Sequence, residues 1–156
     1  MNYVYERQEI IRVHENAQWL KDQGINVVLG NASFTGKNEI EVNEKKYTGK
    51  KIVIATGSKP KKLKVPGVEN VKYYDNESIF HIKELPEKLL IIGGGPISIE
   101  IAQAMNRLGC KVIVIQHING ILERDDETIT DALLKQLVKE GIDFIFNADV
   151  DHFIFP

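Results

Sequence analysis

Between residues 6 and 23 the apolar positions Ile10, Ile11, Val13, Ala17 and Leu20 recur at roughly helical spacing, and Gly24 supplies a stop. That pattern predicts one amphipathic helix. Residues 25–29 read as a strand. Residues 39–42 and 46–48 alternate polar and apolar around Asn43-Glu44, which predicts a small antiparallel hairpin or meander. The continuous run Ile52-Val53-Ile54-Ala55 has the character of a strand covered on both faces, and it ends at Thr56-Gly57-Ser58, where the chain must turn. Residues 59–74 carry Pro60, Pro66 and Gly67 among lysines and read as an exposed connection.

Beyond it, residues 76–82 predict a short helix capped by Asp75 or Asn76, and Pro86 resets the chain for a strand over 88–92. Gly93-Gly94-Gly95-Pro96-Ile97-Ser98 then leads into a helix whose inward stripe is Ile97, Ile101, Ala104, Met105 and Leu108, stopped by Gly109. A buried strand follows over 111–116. Ile129, Leu133, Leu137 and Val138 mark a further helix, residues 142–146 a strand, and residues 151–155 one more. The pattern is α/β with a βαβ unit at its centre, and the expected domain boundary separates residues 1–82 from 83–156. A doubly wound domain uses more strands than this second half supplies, and its bare sheet edge is a liability, so the chain reads as truncated.

Composition narrows the chemistry. With 156 residues, 43% of them apolar, the chain has material for a folded core. Twenty basic against 22 acidic side chains leave a net charge of −2, which argues against nucleic acid or an anionic membrane as partner and favours small molecules. Cys110 is the single cysteine, so no intrachain disulfide or cysteine zinc cage forms, and a reducing compartment fits. Glu6, Arg7, Glu9, Arg12 and Glu15 interrupt the first 20 residues, against a signal peptide or a membrane span, so a cytoplasmic location is expected. His14, His81, His117 and His152 lack metal-ligand spacing and are read as surface or structural, and Cys110 as a packed side chain. No metal site and no catalytic residue is assigned.

The glycine turn carries the strongest chemical signal. A strand ending in glycines that turns directly into a helix aims backbone N–H groups and the positive end of the helix dipole at one spot, which suits a phosphate. Gly93 permits the bend, Gly95 the approach of a pyrophosphate, and Ser98 stands where a smaller residue usually packs helix on strand. Glu100 has two readings, a dipole-stabilising acid or a group near a nicotinamide. At the end of the next strand, where an NAD site usually places a carboxylate for the ribose, this chain has Gln116, which tilts the reading to NADPH over NADH.

The segments Ile52-Val53-Ile54-Ala55-Thr56-Gly57-Ser58-Lys59-Pro60, Val65-Pro66-Gly67, Leu85-Pro86 and residues 91–109 together resemble the pyridine nucleotide-disulfide oxidoreductases, the family of dihydrolipoamide dehydrogenase, glutathione reductase and mercuric reductase. The resemblance implies a Rossmann-like NAD(P)-binding unit inserted in an FAD-binding domain, both incomplete here. It implies that Ala55, Thr56, Gly57 and Ser58 lie at FAD, that Gly30-Asn31-Ala32 approaches its adenine, and that Gly93, Gly95, Pro96, Ile97 and Ser98 hold the NAD(P) pyrophosphate. It places Glu100 near the nicotinamide and makes Gln116 a departure from the acid of NAD-using members. A first FAD glycine motif, a Cys-x4-Cys redox pair and a dimer domain with its His-Glu base have no counterpart in these residues, so homodimerisation is expected of a full-length parent only. The implied activity is hydride transfer from NAD(P)H to flavin and on to a disulfide or metal ion. The alternative is a free-standing dinucleotide-binding module with a sensing or regulatory task.

Overall fold

The computed structural model describes residues 2–154, which divide into two compact units, residues 2–59 and 60–154. The first begins with helices α1 (Asn2–Arg12) and α2 (Ala17–Asp22), where the sequence pattern predicts one continuous helix. Asn16 makes the break. Its side-chain oxygen accepts from the Trp19 N–H at 2.8 Å, capping α2, while its Nδ2 donates to the carbonyls of Arg12 and Val13 at 3.1 and 3.2 Å. One asparagine thus closes one helix and opens the next, the local competition that keeps this residue out of helix interiors.

Strands β1 (Ala32–Gly36), β2 (Glu39–Val42) and β3 (Lys45–Thr48) form the expected antiparallel meander, with β1 an addition that the alternation did not announce. Asn43 and Glu44 have φ of 52° and 64°, so the β2–β3 connection is the two-residue turn whose twist matches a hairpin. Residues 25–29 and 52–55 form no strand, against expectation. Ile25, Val28, Leu29, Val53 and Ile54 are exposed, Val53 by 85%. An apolar run records a tendency to be buried, whereas a strand also needs a neighbour for its ladder, and neither segment has one among the described residues.

In the second unit the helix expected over 76–82 is a 3-10 turn, Ile79–His81. Its N-cap is Ser78, without a side-chain cap bond, and Asp75 instead closes the preceding turn, accepting from the N–H groups of Glu77 and Ser78 at 3.1 and 2.8 Å. Then come β4 (Lys88–Ile92), α3 (Pro96–Arg107), β5 (Lys111–Ile115), α4 (Glu127–Lys139) and β6 (Asp143–Ile145). The strands pair in parallel in the order β4-β5-β6, which makes the unit Rossmann-like. Ile99, Ala102 and Met105 of α3 and Leu137 of α4 join Val112 and Val114 in one core, so both helices cover the same face of the sheet. On the other face Leu90, Ile92 and Ile145 are exposed.

Two expectations need correction here. The inward stripe of α3 is Ile99, Ala102 and Met105, with Ile97, Ala104 and Leu108 exposed, because the sheet offers α3 only one surface to pack on. Residues 151–154 form no strand; the Phe153 N–H donates to the Pro66 carbonyl at 2.8 Å instead, and Phe155 lies outside the described residues. By compactness the chain divides between residues 59 and 60, and Ile79 and Ile82 belong to the core of the second unit.

The C-terminal ends of α3 and α4 are tied through Glu140. Its carboxylate accepts two bonds from Arg107, at 2.9 and 2.8 Å, and others from Gln136 at 2.8 Å and Gln103 at 3.1 Å. Arg107 first, then Gln136, hold its pKa down from 4.5 to about 2. A depressed carboxylate stabilises the fold fully above its ordinary pKa and loses that contribution as pH falls through the folded value. The stability gap between wild type and Glu140→Gln is therefore expected to be constant above roughly pH 5 and to close toward pH 2. Thermal melts across that range measure it; a gap that does not change with pH refutes the ionic role.

Candidate functional site

At the end of β4 the Gly93 N–H still belongs to the ladder, donating to the Ile115 carbonyl at 2.8 Å, while φ of +101° bends the chain. Gly94 is buried. A Cβ there would lie 3.1 Å from Gln116 Nε2 and 3.3 Å from its Cγ and Cδ, closer than ordinary contact. The Gly94 carbonyl accepts from the Leu122 N–H at 2.9 Å. Gly95 is the N-cap of α3 with φ −76° and ψ 173°, values open to any residue, and a Cβ on it would meet nothing within 4 Å. Conformation explains Gly93 and packing explains Gly94, but nothing within the chain calls for glycine at 95.

The start of α3 is bare. No side chain caps it, its first turn holds no acid, and Pro96 brings a preset φ and no N–H. The first intrahelical bond runs from the Ile99 N–H to the Gly95 carbonyl at 3.0 Å, so the amides of Ile97 and Ser98 precede the helical ladder. Ser98 is half-buried, its Oγ 3.8 Å from the Cβ position of Gly93. Unpaired amides at the positive end of a 12-residue helix, facing open space at Gly95, form a corner for an anion.

Gln116 is brought to this corner from below. Its side chain is 6% exposed, packs against Gly94, and its Oε1 accepts from the His117 N–H at 3.2 Å. Glu100 is exposed on α3 and Ile97 beside the corner is also exposed. Cys110 is buried, and burial pushes its thiol pKa up, as befits a packed and unreactive side chain. The other sequence candidates lie in the first unit. Ala55, Thr56, Gly57 and Ser58 are exposed on a segment without regular structure, Gly57 having φ +67°. Gly30 is required by the hairpin: a Cβ on it would fall 2.7 Å from Asn43 Oδ1 and Val42 Cγ1, and Asn43 Nδ2 donates to the Leu29 carbonyl at 2.9 Å. Ala32 pairs with Val42 in the meander.

Sequence reasoning missed Leu122. It has φ +53°, rare for a branched side chain, and it holds the Gly94 carbonyl; neither Gly nor Asn marks the position in the sequence. Among the described residues no three His, Cys, Asp or Glu side chains gather as a metal site, and no helix is long and apolar enough to cross a membrane.

The sequence profile of the pyridine nucleotide-disulphide oxidoreductase family matches residues 3–154. The chain belongs to that family. Members of this FAD- and NAD(P)H-using oxidoreductase family similar to it include mercuric reductase of Bacillus cereus, 30% identical over 148 residues that make up 93% of this chain and 24% of the relative. Dihydrolipoyl dehydrogenase of Thermus scotoductus is 38% identical over 79% of this chain and 27% of its own length, and glutathione reductase of a Nostoc species 34% identical over 88% and 30%. The solved structure of the HOCl-induced flavoprotein disulfide reductase RclA from Escherichia coli superposes with a TM-score of 0.81 at 30% identity, covering 96% of this chain and 35% of that one. The chain thus spans about a quarter to a third of the length of these oxidoreductases.

Proposed function

We propose that this chain supplies the NAD(P)H-holding corner of an FAD-dependent oxidoreductase that passes hydride from NAD(P)H to flavin and on to a disulfide or metal-ion acceptor. The observation that carries the reading is Gly95, a glycine with ordinary backbone angles and open space around it at the uncapped start of α3. Glycine forgoes a helix cap there, and a close-lying diphosphate is the group that gains from its absence. Family membership across residues 3–154 favours the oxidoreductase over a free-standing sensing module.

In this reading the backbone from Gly93 to Ser98 holds the diphosphate, and the α3 dipole offsets its charge. Pro96 sets the first helical φ in advance, so the corner needs little reordering on binding. Bound NAD(P)H supplies the hydride. Glu100, exposed on α3, stays a candidate for the neighbourhood of the nicotinamide. The strip Ala55–Ser58, where the resemblance implies FAD, is exposed on a segment without regular structure. Purified chain is accordingly expected to be colourless after dialysis; a yellow, flavin-loaded preparation contradicts this.

Calorimetric titration of the 156-residue chain with NADPH and NADH tests the proposal. Binding of either, with NMR shifts confined to amides near 93–98, supports it; no heat and no shift with both overturns it. With no carboxylate at the end of β5 to repel a 2′-phosphate, NADPH is expected to bind at least as tightly as NADH. A tighter NADH complex refutes that expectation.

A further inference from the structure

We propose that Leu122 is a positioning residue for the coenzyme corner: its backbone N–H fixes the peptide between Gly94 and Gly95 so that the Gly95 N–H faces outward. The inference rests on the pyrophosphate reading above and deepens it. In a trans peptide the carbonyl of one residue and the N–H of the next point in opposite directions. The Gly94 carbonyl is held by the Leu122 N–H at 2.9 Å, so the Gly95 N–H is turned away from the 122 loop. Gly95 is exposed, and its N–H donates to no backbone carbonyl among the described residues, so it stands free at the start of α3.

Two features make the hold specific. A Gly94–Gly95 peptide has little intrinsic preference and rotates readily unless it is tied. Gln116 packs against Gly94 from inside the fold, where a Cβ would lie 3.1 Å from its Nε2, and blocks the collapse of Gly94 inward. The donor is itself held at a cost. Leu122 has φ +53°, and it is kept there by the Asp125 N–H to Leu122 carbonyl bond at 2.9 Å and by the packing of its side chain on the core. A leucine in the left-handed region persists where its surroundings over-determine it, and such sites cluster where a ligand is met.

The test replaces the Leu122 amide with an ester by semisynthesis, which deletes the N–H and keeps the side chain. Leu122→Asn is the companion, since asparagine adopts the same φ and retains the N–H. Each 156-residue chain is titrated by NMR with ADP-ribose, which carries the paired phosphates, and with adenosine, which has none. The ester is expected to weaken ADP-ribose by about fivefold to tenfold, leaving adenosine within about twofold, while Leu122→Asn changes neither by more than about twofold. Equal losses for both ligands, an ester that binds ADP-ribose like wild type, or an asparagine variant as weak as the ester each overturn the inference. A wild-type chain whose 93–98 amides ignore ADP-ribose overturns the pyrophosphate reading itself, and the inference with it.

Discussion

Gly95→Asp is expected to leave the fold as stable as wild type or slightly more so, and to abolish coenzyme binding. The two effects have separate causes. Backbone angles at Gly95 suit any residue and the Cβ direction is empty, so the substitution meets no clash. Aspartate is among the best N-caps, and its carboxylate gains from the helix dipole, so stability should rise by up to about 0.5 kcal/mol. The same carboxylate occupies the corner proposed for the diphosphate and repels it. Two unit charges 4 Å apart near a protein surface interact by about 4 kcal/mol, which alone exceeds a hundredfold loss in affinity. Thermal melting and calorimetry on the same sample read both signs. Retained NADPH binding in a folded Gly95→Asp chain shows that the coenzyme does not sit at this corner.

Gly67→Ala is expected to cost the second unit about 2–4 kcal/mol, a large fraction of what holds a domain of this size folded. Gly67 has φ +84°, and a Cβ on it would lie 2.3 Å from the Phe153 carbonyl oxygen, a backbone atom with no freedom to swing aside. Alanine therefore pays for the left-handed angle and must also push the 153 segment away, straining the Phe153 N–H to Pro66 carbonyl bond. Gly109→Ala is the control, since φ there is +104° but nothing lies within 4 Å, leaving only the conformational cost of about 1–2 kcal/mol. Urea unfolding followed by the methyl signals of Val112 and Val114 reports on the right core, because the chain's single tryptophan, Trp19, belongs to the other unit. Equal losses for the two variants show that the 67–153 contact contributes nothing.

The β2–β3 hairpin, β4, α3, β5, α4 and β6 were legible in the sequence because each is specified locally. Alternation around Asn43-Glu44 sets the hairpin, and apolar periodicity with Gly93, Gly109 and Gly141 as punctuation sets the βαβαβ order. The glycine turn was legible for the same reason, and with it the expectation of a phosphate corner. What misled was any feature that depends on a distant neighbour. Residues 25–29 and 52–55 carry strand-like patterns yet find no ladder partner, and Asn16 divides a helix that periodicity joins.

Local chemistry written in the chain therefore determined where strands bend into helices and that the bend at Gly93 calls for glycine. Only the tertiary structure decided which face of α3 is buried, that Gln116 lies beneath Gly94, and that Leu122 holds the Gly94 carbonyl. The reason is physical: turn and cap preferences act within a few residues, whereas burial and the Gly94–Leu122 bond join segments whose meeting is fixed only by how the sheet and its helices pack.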